Sequence, residues 1–295
     1  MRDLLETPVL MLVFARPGAT RLVFEEVRKA RPRKLYIAAD GPVPGNAANA
    51  EKCARVREVV SQVDWDCEVS TLFRETNLGC RTAVSEAINW FFSQENEGII
   101  LEDDCLPHQS FFSFCENMLE KYRNDSRVMH ISGTNLQFGQ KRGDASYYFS
   151  SIPSVWGWAA WKRSWEQYDL QMSSYPEFKA SGLIKSILPD ERVAGHVMHV
   201  LQMNYEGKII TWDHQYGFSL VINNGLSIVP NVNLISNLGY SKTDDPMAPD
   251  NYLLSRIPLE EITFPLTHPV FFVPDKEADL VQAQWDVFDT KNSIV

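Results

Sequence analysis

The stretch GIILEDDCLP, residues 98–107, sets an apolar run directly against three consecutive carboxylates, Glu102, Asp103 and Asp104. The run reads as a buried strand, and acids crowded at its tip repel one another unless a cation shares them. Carboxylate oxygens suit Mn²⁺ or Mg²⁺, which keep several waters and accept phosphate oxygens as further ligands. A solvated turn ahead of a helix would call for one acid as a cap, not three in a row. The chain carries neither G-x-x-x-x-G-K-[ST] nor G-x-G-x-x-G, so the usual glycine cradles for nucleotide phosphates are missing. A cation is the remaining way to neutralise a diphosphate at this strand tip.

Outward from that strand, the first half alternates in period. Apolar runs at Val9 to Phe14, Leu35 to Ala39, Glu68 to Phe73 and Val128 to Ile131 join Ile99 to Leu101, and helical patterns lie around 19–30, 47–62, 80–94 and 108–123. This rhythm predicts an α/β fold, a mostly parallel, Rossmann-like sheet flanked by helices, with ligands beyond the carboxyl ends of its strands. Those ends carry Arg16 in FARP, Asp40 in AADGP and the acidic triplet. From about Ser146 the chain turns aromatic and irregular, with helical patterns returning near 190–206 and 213–223. No low-complexity linker separates the halves, so residues 1–240 read as one domain. The proline-rich segment 241–295 reads as an extended loop wrapping back over the surface.

A net charge of −10 disfavours general nucleic-acid binding, which needs a basic face. The five cysteines are odd in number and contain no C-x-x-C pair, which fits free thiols and a cytoplasmic setting. The opening MRDLLETPVLMLVFARP lacks the basic and long apolar regions of a secretory leader, and its apolar run is too short to span a bilayer.

Taken together, PVLMLVFARP, AADGP, NLGCRTAVSEAINWFF, GIILEDDCLPHQSFF, VWGWAAWKRSWEQYD, TWDHQ and NVNLISNLGY resemble the GT-A glycosyltransferases of bacterial surface-polysaccharide clusters. They are more distantly similar to the inverting N-acetylglucosaminyltransferase I family. The resemblance runs over most of residues 8–240 and implies a nucleotide-sugar-binding half, 1–131, and an acceptor-side half, 132–240. It implies transfer of a sugar, with inversion, from a nucleoside diphosphate such as UDP to a carbohydrate or glycolipid acceptor, with peripheral contact to a membrane-bound acceptor. Within it, Asp104 binds the metal, Glu102 and Asp103 face the donor's sugar and ribose, Asp40 contacts the uracil ring, and Arg16 lies near the nucleotide. The W-D position assigns Asp213 as general base, although Asp at a helix start is also an ordinary N-cap.

Other residues are read from their own chemistry. In NLGCR, the start of a helix near Cys80 would aim free N–H groups, with Arg81, at an anion, or be a plain capped start. Trp156 and Trp158 flank Gly157, where backbone can approach a sugar closely, whereas Trp161 and Trp165, at helical spacing, fit packing. His214 is a weaker candidate base than Asp213, and His268, in LTHP, reads as a surface residue that could reach a diphosphate. Bacterial relatives follow the N-L-V-S-N-I-G segment with an A-T-H-T-like stretch, whereas this chain reads NLISNLGYSKTDDPM. Two other readings compete: a nucleotidyltransferase acting on sugar phosphates, and a non-enzymatic Ca²⁺-dependent sugar-binding module.

Overall fold

A computed structural model describes residues 4–240, 254 and 257–290, with side chains as far as Trp285. The YSKTDDPM stretch beyond Tyr240 lies outside the described residues. The strands of the first half are β1 (Val9–Val13), β2 (Lys34–Ala39), β3 (Glu68–Phe73), β4 (Glu97–Glu102), β5 (Cys105–Pro107) and β6 (Val128–Ser132). Helices α1 (Pro17–Ala30), α2 (Ala47–Val60), α3 (Gly79–Gln94) and α4 (Gln109–Tyr122) alternate with them. The second half adds β7 (Tyr147–Ser150), β8 (Trp158–Trp161), β9 (Leu226–Pro230) and β10 (Ile235–Asn237). Its helices are α5 (Lys162–Trp165), α6 (Tyr175–Ser181), α7 (Ile184–Ile187), α8 (Glu191–Tyr205), α9 (Asp213–Ile222) and α10 (Lys276–Thr290).

One eight-stranded sheet, ordered β3-β2-β1-β4-β8-β6-β9-β7, runs through both halves, and only β8 and β7 oppose the others. The α/β class with a mostly parallel, helix-flanked sheet is therefore the observed one. Its inner strands β1, β2 and β4 are apolar runs because both faces are covered, whereas the edge strand β3 is polar and largely exposed. On β1, Val9, Met11 and Val13 pack with α1, α2 and α4, while Leu10 and Leu12 face α3 and α9. A third apolar cluster, with Tyr175, Leu188, Leu201 and Phe218, forms among α6 to α10 beside the sheet.

Two expectations change. The segment from 257 lies as a loop against the body, where Ile262 N donates to Ser110 Oγ at 3.1 Å and Thr267 O accepts from Ser146 N, but it does not remain a loop to its end. The chain then enters α10, which packs on α8 and buries Ala283. Trp161 and Trp165 are packed, but not as one helical stripe. Trp161 ends β8 on the α4 face of the sheet, and Trp165 ends the one-turn α5 on the other. Among the described residues no helix is long and apolar enough to cross a membrane.

Candidate active site

The acidic triplet stands where the sheet ends. β4 stops at Glu102, the chain turns through Asp103 and Asp104, and β5 pairs antiparallel with β10. NVNLISNLGY supplies that second strand, so its role is to clamp the acidic turn: Leu238 N donates to Asp104 O at 2.7 Å. A Cβ on Gly239 would lie 2.4 Å from Asp104 Oδ2, so only glycine lets this turn close on the carboxylate.

Arg16 reaches into the cluster from the β1–α1 connection. Its Nη1 donates to Asp103 Oδ1 at 3.1 Å and to Asp104 Oδ2 at 2.9 Å, while Phe14 N donates to Asp103 Oδ2 at 3.0 Å. Burial opposes the guanidinium's charge, but Asp104, Asp103 and Glu102 outweigh it and raise the Arg16 pKa. Glu102, which accepts no hydrogen bond from any described residue, is pushed up to about 8 by burial and then by Asp104 and Asp213. Asp103 rises to about 6 through burial and Asp104, despite Arg16. One guanidinium against three carboxylates leaves the strand tip short of positive charge.

That shortage tests the expected cation. Among the described residues no three His, Cys or acidic side chains form a metal-holding group. The hard oxygen donors and surplus negative charge nevertheless suit a hard divalent cation such as Mn²⁺ or Mg²⁺. Arg16 offsets the charge only in part, and its side chain is 43% exposed.

Across the cluster, α9 begins at Asp213. Its Oδ1 accepts from Thr211 Oγ1 and, at 2.9 Å, from His214 N. Oδ2 accepts nothing from a described residue, and the side chain is 34% exposed. Asp213 therefore does not cap α9 through N–H groups further along the helix, so its open oxygen is available to a ligand. His214 is tied elsewhere: its Nδ1 accepts from Asn204 Nδ2 at 2.9 Å. His268 faces Tyr147, with its Nδ1 3.0 Å from the hydroxyl, and makes no contact with the acids.

Cys80, passed over in the sequence, lies at the start of α3 and is exposed overall. Desolvation around its sulfur and the charges of Glu102 and Asp213 nevertheless push the thiol up to about 12, so both carboxylates lie within electrostatic reach of one sulfur. Tyr168 joins the same rim: burial raises its pKa first, with Asp213 and Cys80 adding to the rise and Arg81 opposing it. The only sequence signal for Cys80 is its place at a helix start beyond β3.

Other expected residues play different parts. Asp40, buried at the end of β2, accepts from Gly41 N, Asn77 Nδ2, Leu78 N and Gly79 N at 2.8–3.2 Å. The N–H groups at the start of α3 that NLGCR offers to an anion are thus taken up by the protein's own Asp40 carboxylate. Arg81 Nη2 donates to Leu170 O at 2.7 Å, away from the triplet. Trp158 is fully buried and stacks with Trp212 and His130, so it is out of reach of a sugar. Gly157 has φ +60°, and a Cβ there would lie 2.4 Å from Ile235 Cδ1, so its close approach is to the core. Trp156 remains at the surface of a cavity beside Asp213, against Tyr240.

No protein-family model matches the chain, and no curated protein does. Solved structures similar to it include a cytidylyltransferase from Leptospira borgpetersenii, with 9% identity over 57% of this chain and 64% of that one and a TM-score of 0.34. Others are a 4-diphosphocytidyl-2C-methyl-D-erythritol synthase from Anaerococcus prevotii (9% identity, 59% and 76% covered) and HddC from Yersinia pseudotuberculosis (10%, 55% and 80%), both at 0.34. The chain thus spans slightly under two thirds of the first of these. None of the three is a glycosyltransferase by name, and overlaps of this size establish nothing about activity.

Proposed function

We propose that the chain is a transferase acting on a nucleotide-activated sugar, and that its reaction is glycosyl transfer, with inversion, from a nucleoside diphosphate such as UDP to an acceptor hydroxyl. The observation that supports this reading is the carboxylate of Asp213, bonded through Oδ1 alone and 34% exposed, within electrostatic reach of Glu102 at the tip of β4. Asp213 Oδ2 takes the acceptor's hydroxyl proton while the hydroxyl oxygen of the acceptor bonds the anomeric carbon. The bond from that carbon to the diphosphate breaks, and its electron pair leaves with the diphosphate. A cation on Asp104, when bound, supplies charge stabilisation for the leaving group. Glu102 and Asp103 orient the donor, and Trp156 offers a ring face to the acceptor.

Nucleotidyl transfer is the second reading. It is the activity named for one of the structural neighbours, whose likeness to this chain is one of fold, and it too would place a nucleotide and a cation over the β4 acids. Against it stands the connection from β1 to α1, which is only three residues long, Phe14 to Arg16, too short for a glycine-rich phosphate loop. The products separate the two. Glycosyl transfer releases UDP or another nucleoside diphosphate from a panel of nucleotide sugars with Mn²⁺, whereas nucleotidyl transfer releases pyrophosphate from CTP or UTP with a sugar 1-phosphate. Pyrophosphate release without nucleoside diphosphate would replace the first reading by the second.

A further inference from the structure

A cavity of about 590 Å³ opens beside Asp213, between α8, α9, Ala283 of α10 and the 152–156 segment. Its wall is more apolar than polar, with Ile152, Val197, Leu201, Ile209, Phe218 and Val221. Polar groups also line it, Ser154, His196 and Lys208 as well as Thr211, Asp213 and His214. Ile210, 69% exposed, continues the apolar lining outward to the surface. A sugar alone would leave such a wall unmatched, since apolar surface gains only from an apolar occupant.

Gly217 supplies a second, independent observation. It stands inside α9, where glycine costs ~1 kcal/mol relative to alanine. The nearest atom to a Cβ there would be Pro153 Cγ at 3.8 Å, so packing does not require the missing side chain. What its absence preserves is open volume in the cavity it lines.

We infer that this cavity is the acceptor site and that the acceptor is amphipathic, a hydroxyl-bearing head group presented to Asp213 on an alkyl or isoprenoid chain that fills the apolar part. The inference rests on the glycosyl-transfer reading and names its acceptor class. An occupant of this kind binds more tightly with each buried methylene, by about three- to fourfold.

Calorimetry with n-octyl β-D-glucoside below its micelle threshold and with methyl β-D-glucoside tests it on the full chain. The octyl compound is expected to bind at least tenfold more tightly. Gly217→Leu, which fills the cavity, is expected to abolish that preference while leaving UDP binding with Mn²⁺ intact. Ile209→Asp, at a loop position, reports the same loss should Gly217→Leu fail to fold. Equal binding of the two glucosides, or an octyl preference that survives both substitutions, overturns the inference while nucleotide binding stands. A chain that binds no nucleotide with Mn²⁺ overturns the reading beneath it, and the acceptor assignment with it.

Discussion

Strands β2 and β4 flank β1 in the same sheet and both end in buried aspartates, yet the two ends are electrostatically opposite. At the end of β2, Asp40 is met by four donors from its own turn and from the start of α3. At the end of β4, three carboxylates share one guanidinium, and Glu102 receives no hydrogen bond from a described residue. A buried carboxylate whose bonds are complete is part of the framework, whereas one left short of partners stores a preference for an incoming cation. Residue type and topological place are the same in both. The supply of donors separates them.

Asp213 belongs with the under-served group, because only one of its oxygens is bonded. Replacing it tests whether that open oxygen works. Asp213→Asn is expected to lower turnover by about 10²–10⁴ while nucleotide affinity measured by calorimetry is unchanged. Retained turnover would move Asp213 into the framework class and remove the base from the proposed reaction.

The next effect distinguishes the two strand ends by sign. Glu102's folded pKa of about 8 lies above its ordinary 4.5, so the folded chain holds this proton more tightly than the unfolded one. Its contribution to stability is full below pH 4.5 and is lost as pH rises toward 8. Glu102→Gln removes that loss. At ~1.4 kcal/mol per pK unit, urea denaturation without added metal should find the variant more stable than the parent by roughly 2–4 kcal/mol at pH 8, with the gain vanishing near pH 4. Asp40→Ala should do the reverse and destabilise by about 2 kcal/mol at neutral pH, since it orphans Leu78 N and Gly79 N at the start of α3. Stabilisation by both substitutions, or destabilisation by both, would erase the contrast.

How much of this was legible in the sequence depends on the range of the interaction. The strands and helices of the first half follow from local period, and the acids at the end of β4 from their adjacency. The bonds that tie Asp40 to the start of α3 are not legible in the sequence, because those partners lie 37–39 residues away on another connection and no local pattern joins AADGP to NLGCR. The spacing of Trp161 and Trp165 suggests a helix, and WAAW shows no alternation because it is a strand buried on both faces; only pairing with β4 and β6 fixes it as β8. α10 was hidden behind the proline-rich segment that precedes it, and its burial depends on α8 and β7.

Cys80 gives the smallest effect and the most local one. Its thiol is held neutral by desolvation around the sulfur and by surrounding acids, with Glu102 and Asp213 ahead of Asp104 and with Arg16 opposing them. Neutralising an acid near the sulfur lowers the thiol pKa and raises the small thiolate fraction that reacts with iodoacetamide. Nucleophilicity falls as the pKa falls, so the gain in rate is smaller than the gain in thiolate. Glu102→Gln should therefore speed alkylation of Cys80 at pH 8 by about three- to tenfold, read by peptide mass spectrometry. Asp103→Asn should leave the rate near the parent's, because Asp103 faces Phe14 and Arg16 instead of the sulfur. Equal acceleration by both would mean that Cys80 senses the triplet as one diffuse charge. In that case Glu102 would not be the acid that points across the site toward Asp213.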